Sequence, residues 1–82
     1  MKKSVLIKHI AGMVNNTPFA SITIPTNKMF SIREYENDVT TIPVVGVETA
    51  DNETFVVTSD GYEILLQDMT YRELEMVYKA IK

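Results

Sequence analysis

The sequence predicts a small α+β domain of two layers, an antiparallel meander covered by helices, and three stretches carry that prediction. Residues 54–66 read as a β-hairpin, residues 70–82 as a capped amphipathic helix, and residues 4–15 as a second amphipathic helix. The expected strands are about 20–24, 29–35, 43–49, 54–59 and 62–66, three to five in all, with helices at 4–15 and 71–82, in a single domain spanning 1–82.

In the first helix Leu6, Ile7, Ile10, Met13 and Val14 recur at helical spacing and fill an arc of about 120°. Ser4 is placed to cap its start and Asn15-Asn16 to end it. A strand is the competing reading, because Gly12 costs about 1 kcal/mol in a helix interior and Val5, Ile7, Ile10 and Val14 are β-branched.

Pro18 opens the next element, in which Ala20-Ser-Ile-Thr-Ile24 alternates with Ile22 and Ile24 inward and is stopped by Pro25. From Met29 to Tyr35, Phe30 and Ile32 alternate like a strand. Ser31-Ile-Arg-Glu34 has the form of a capping box but is followed by Glu36, Asn37 and Asp38 instead of an apolar run, so a short strand is expected.

Residues 41–49 form a strand beside Pro43, and Val45 and Val47 are expected on the core face. A three-residue loop of Asp51, Asn52 and Glu53 sets Val47 opposite Val57, whereas a two-residue loop sets Glu48 opposite Phe55; the apolar pattern favours three. Asp60-Gly61, between two runs of β-branched and aromatic residues, reads as a two-residue turn that pairs Val57 with Ile64 and Val56 with Leu65. The core side is then Phe55, Val57, Tyr62, Ile64 and Leu66, and Thr54, Val56, Thr58, Glu63, Leu65 and Gln67 face outward.

The last helix follows from Thr70-Tyr-Arg-Glu73, a capping box with Met69 and Leu74 as hydrophobic staple. Tyr71, Leu74, Val77, Tyr78 and Ile81 share its core stripe, while Arg72, Glu73, Lys79 and Lys82 point away.

An 82-residue chain with 45% apolar and 23% charged residues is an ordinary globular domain. At this size it buries only about 60–65% of its unfolded surface, and association would add stability. The absence of cysteine excludes disulfides, thiol nucleophiles and cysteine-bound metals. No run of apolar residues reaches membrane-spanning length, and Lys8 and His9 interrupt the resemblance of the first ten residues to a signal peptide, so a cytoplasmic protein is expected.

The net charge of −3 conceals an asymmetry. Residues 1–33 hold Lys2, Lys3, Lys8, Lys28 and Arg33 with no acid (+5), and 34–82 hold three cations against eleven acids (3 − 11 = −8). Packing of the basic part on the acidic part is the favoured reading. The alternative is nucleic-acid contact through those five cations with Phe30 as a stacking residue, which the overall acidity opposes.

His9 has no second histidine or cysteine for a metal site or triad, and a structural role is expected. Glu34, Glu36 and Asp38 alternate like calcium ligands, but Val39 replaces the required Gly and Val45 the closing Glu, which favours a solvated turn. Gly12, Gly46 and Gly61 stand in separate elements and build no phosphate loop. Glu73 with Glu75, and Glu48 with Glu63, are not enclosed as an acid–base pair needs to be.

No catalytic residue, cofactor or metal is therefore expected. The expected function is a small non-catalytic module acting through protein contacts, with a protein partner or a second copy of itself, through a strand edge or the outer sheet face. Val56 with Leu65 on the sheet, and Met76 with Ala80 on the last helix, are the candidate interface residues.

Overall fold

Helix α1 (Lys3–Asn16) leads into four strands, β1 (Ser21–Pro25), β2 (Val39–Ala50), β3 (Glu53–Thr58) and β4 (Glu63–Leu65). A single 3-10 turn (Leu66–Asp68) then joins β4 to helix α2 (Tyr71–Ala80). The computed structural model describes residues 1–25 and 39–81, Val39 and Thr40 by their backbone alone. The strand expected at 29–35, the calcium-like carboxylates of 34–38 and Lys82 lie outside the described residues. The described strands form one antiparallel sheet in the order β1-β2-β3-β4, and the fold is the small α+β domain that the sequence predicts.

Residues 4–15 are helical because tertiary packing outweighs local preference. Leu6, Ile7, Ile10 and Val14 are all buried, and that stripe offsets the β-branched residues and Gly12. Ser4 does not cap α1, which starts at Lys3 and whose N-cap, Lys2, makes no side-chain bond. At the other end Asn16 Nδ2 donates to the Gly12 carbonyl at 2.8 Å, so the helix runs through both asparagines.

α2 has the predicted capping box, with Thr70 Oγ1 accepting from the Glu73 N–H at 3.2 Å and the Thr70 N–H donating to Glu73 Oε1 at 2.8 Å. Met69, Leu74 and Val77 are buried and Ile81 packs against the core. Tyr71 and Tyr78, expected in the core stripe, are instead exposed on its flanks. With only Leu74 and Val77 buried on α2 itself, the helix contacts the sheet along a narrower arc than the apolar stripe spans.

β1 matches its expected pattern, with Ala20, Ile22 and Ile24 buried. β2 is longer than expected and is shared lengthwise: residues 39–43 pair with β1, and Val44–Ala50 pair with β3. The register shifts between Val44 and Gly46, which makes Val45 the extra residue of a β-bulge. Ile42 and Val44 face the core before the bulge and Val47 after it, while Val45, expected inward, is turned out to 70% exposure.

Both hairpin loops differ by one residue from expectation, in opposite senses. β2 and β3 are joined by the two residues Asp51 and Asn52, both at positive φ (52° and 65°), the signature of a type I′ turn. β3 and β4 are joined by three, Ser59, Asp60 and Gly61. Here the Gly61 N–H donates to the Thr58 carbonyl at 3.1 Å, and Gly61 then takes φ 89°. This is a turn followed by a left-handed glycine rather than a two-residue loop. The observed pairs are Glu48 with Phe55, Val47 with Val56, Val56 with Ile64, and Phe55 with Leu65.

The two slips cancel for the outer strands and invert only β3. Ile64 and Leu66 remain inward as expected, whereas Val56, Thr54 and Thr58 are buried and Phe55 and Val57 are half-exposed on the outer face. Hydrogen bonds make the buried threonine face tolerable. Thr58 Oγ1 accepts from the Tyr62 N–H at 3.0 Å. Gln67, expected outward, uses its amide as a piece of surrogate strand: Oε1 accepts from the Thr54 N–H at 2.9 Å and Nε2 donates to the Asn52 carbonyl at 3.2 Å. α1 covers β2 and β3 from the core side and α2 covers β1, the two helices touching each other.

Candidate protein-contact site

The predicted interface residues do not come together. Val56 is fully buried (0%) beneath the helices, and Leu65 is half-buried on the opposite face of the sheet, beside Phe55. The one-residue slip of β3 separates them, so they form no common surface. Met76 and Ala80 are half-buried on α2.

Of the candidate nucleic-acid contacts, Lys2 at the N-cap and Lys3 and Lys8 in the first half of α1 are exposed, and Lys28, Arg33 and Phe30 lie outside the described residues. Lys3 Nζ donates to the Gln67 backbone carbonyl at 2.8 Å, so its contact with the acidic part of the chain is to a carbonyl. His9 is exposed, and among the described residues no three His, Asp or Glu side chains are grouped to hold a metal ion. Among those residues, too, no helix is long and apolar enough to cross a membrane.

A different surface stands out, at the C-terminal end of α1. After Asn16 the chain reverses through a β-turn of residues 17–20, closed by the Ala20 N–H donating to the Thr17 carbonyl at 3.2 Å. Pro18 occupies the second position, which its ring favours, and Phe19 the third, at φ 59°. A turn of this hand needs a left-handed residue at its third position and is normally given glycine or asparagine there. A phenylalanine at that φ is strained by about 1–2 kcal/mol.

The ring recovers none of this by burial in the monomer, because Phe19 is 99% exposed. Beside it the bulge turns Val45 outward at 70% exposure. Two independent backbone irregularities thus push an aromatic and an aliphatic side chain into solvent at one place. Between them opens a groove of about 520 Å³, with Val14, Asn15, Pro18 and Gly46 in its walls and no ionisable side chain among the described residues that line it.

Both irregularities have a signal in the sequence. Thr17-Pro18-Phe19 places proline at the second position of a turn, and a type II turn there puts the next residue in the left-handed region. Val45-Gly46 puts a glycine inside a strand, a mark of a bulge. The outer sheet face is also partly apolar, with Phe55, Val57 and Leu65 half-exposed. Glu48 pairs with Phe55 and Glu63 with Val57, so carboxylates stand among its apolar residues.

Compared with known protein families, characterised proteins and solved structures, the chain matches none, and the functional reading rests on this geometry.

Proposed function

We propose that this chain is a small non-catalytic module that works through protein contacts and pairs with a second copy of itself through the Phe19–Val45 patch. The observation that carries the reading is the Phe19 ring, almost wholly exposed on a backbone that disfavours it. Strain of this kind persists where something else offsets it, and an interface offsets it by burying an aromatic anchor.

Charge and shape favour a second copy as the partner. A twofold contact sets the same patch of both copies face to face, so that residue i meets j and j meets i, and a patch without like charges avoids repulsion across it. The Phe19 patch meets that condition, whereas the outer sheet face would bring two faces that each carry Glu48 and Glu63 together. Knob and groove lie side by side, which lets each Phe19 enter the partner's groove in a single reciprocal exchange. Two exchanged rings bury about 300–500 Å². With Pro18 and Val45 added, the contact stays below the roughly 1,600 Å² of a standard interface and belongs to the weak, concentration-dependent class.

Absolute mass by light scattering over a dilution series, at low and high salt, tests this. The expected result is a dimer at high concentration that persists in salt and is lost in Phe19→Gly. A monomer at every concentration, or a dimer indifferent to Phe19→Gly, rejects the assignment.

A further inference from the structure

A second concavity, of about 670 Å³, opens at the other end of α1, between the first half of that helix and the tip of the β2–β3 hairpin. Its helix wall is made by Lys3, Ile7, Lys8 and Ala11, and its sheet wall by Thr49 and Thr54. At about 100° per residue, Ile7 and Ala11 fall between Lys3 and Lys8 on the helix surface, so an apolar strip runs between two ammonium groups.

The frame of the groove is ordered by hydrogen bonds. Gln67 ties the Thr54 N–H to the Asn52 carbonyl, and Lys3 Nζ is held on the Gln67 backbone carbonyl at 2.8 Å. That bond directs the Lys3 ammonium without neutralising it, since its acceptor is a carbonyl. The chain as a whole has a net charge of −3, yet no carboxylate lines this groove among the described residues.

We infer that the groove binds a small amphipathic carboxylate, its anionic head held by Lys3 and Lys8 and its hydrocarbon tail laid on half-buried Ala11 and the edge of Ile7 that reaches the groove. Charge complementarity selects the anion: ammonium groups that face no carboxylate among the described lining residues attract carboxylates and leave cationic amphiphiles unfavoured. The apolar strip selects the tail, because small-ligand sites combine a mainly apolar lining with a few placed polar groups. Small size follows from the volume, which lies in the range that single small molecules fill.

The test is amide-resolved NMR on the full chain, titrated separately with sodium octanoate, octan-1-ol and sodium acetate. Octanoate is expected to give saturable shifts at Ile7, Ala11, Thr49 and Thr54, with a Kd on the order of 1 mM. Octan-1-ol and acetate should shift the same amides at least about threefold more weakly, since each lacks one half of the recognition.

Lys8→Gln, at an exposed position, should weaken octanoate by about three- to fivefold and leave octan-1-ol unchanged. Equal binding of octanoate and octan-1-ol overturns the inference by reducing the site to an apolar crevice. Shifts that do not saturate, or that map elsewhere, overturn it as well. So does co-sedimentation with phosphatidylglycerol vesicles without octanoate shifts, which would assign the lysines to a membrane headgroup.

Discussion

Among the described residues, three turns require a residue at positive φ, and they meet the requirement in two different ways. The β2–β3 turn places Asp51 and Asn52 there, residues whose short polar side chains tolerate the left-handed region, and the β3–β4 turn places Gly61 there. In both, residue and backbone agree, and the turn sets the register of the sheet. The turn after α1 places Phe19 there, against its preference and with its side chain 99% exposed. Agreement of local chemistry with backbone serves folding, and local conflict marks a position held for something else.

The largest expected effect breaks that comparison by removing the conflict. Phe19→Gly should raise stability by about 1 kcal/mol, a Tm increase of about 4–8 °C for a domain of this size, measured by differential scanning calorimetry on dilute monomer. The same change should cost about 2 kcal/mol or more of self-association, a loss of about 30-fold read by sedimentation equilibrium. Opposite signs from one substitution would separate folding from function at that turn.

Gly61→Ala applies the reverse change, introducing a Cβ where backbone and residue now agree. It has open space around it, so the cost is conformational: about 1–2 kcal/mol of stability by urea unfolding, with association unaltered. Gln67→Ala probes the other hairpin from outside the loop. Losing the bonds to the Thr54 N–H and the Asn52 carbonyl should cost about 1–2 kcal/mol and raise amide exchange at the Asp51–Asn52 turn above all.

Gly12 sharpens the comparison as a control, being a second local conflict but one with no exposed side chain to explain it. A Cβ there meets nothing within 4 Å, so Gly12→Ala should stabilise by about 0.5–1 kcal/mol and leave the mass of the protein unchanged. The smallest effect is expected for Val45→Thr, nearly isosteric at the bulge. Chemical denaturation should find stability within about 0.5 kcal/mol of the parent, and light scattering should find association reduced about threefold.

Strong local patterns were legible in the sequence. The capping box of Thr70 and Glu73 formed as its spacing requires, and the apolar stripe of α1 and the alternation of Ile22 and Ile24 each buried the residues they marked. The candidate interface was not legible, because Val56 and Leu65 depended on a strand register. That register turned on whether Asp60-Gly61 formed the whole loop or its last two residues, and both choices place a glycine at positive φ. The face of β3 and the length of the preceding loop are coupled through the register, so the two change together.

What the sequence by itself determined is the apolar stripes of the two helices, the capping box of α2, the strand segments on either side of Asp51-Asn52 and Asp60-Gly61, and an α+β class with an antiparallel sheet. Spacing, turn residues and caps act over a few neighbouring residues, and all of that information lies within each segment. What only the tertiary structure decided is which face of β3 is buried and where Phe19 and Val45 emerge. Those depend on a balance among two turn geometries, a bulge and the packing of two helices, terms that are set by contacts between segments and that a one-residue shift reverses.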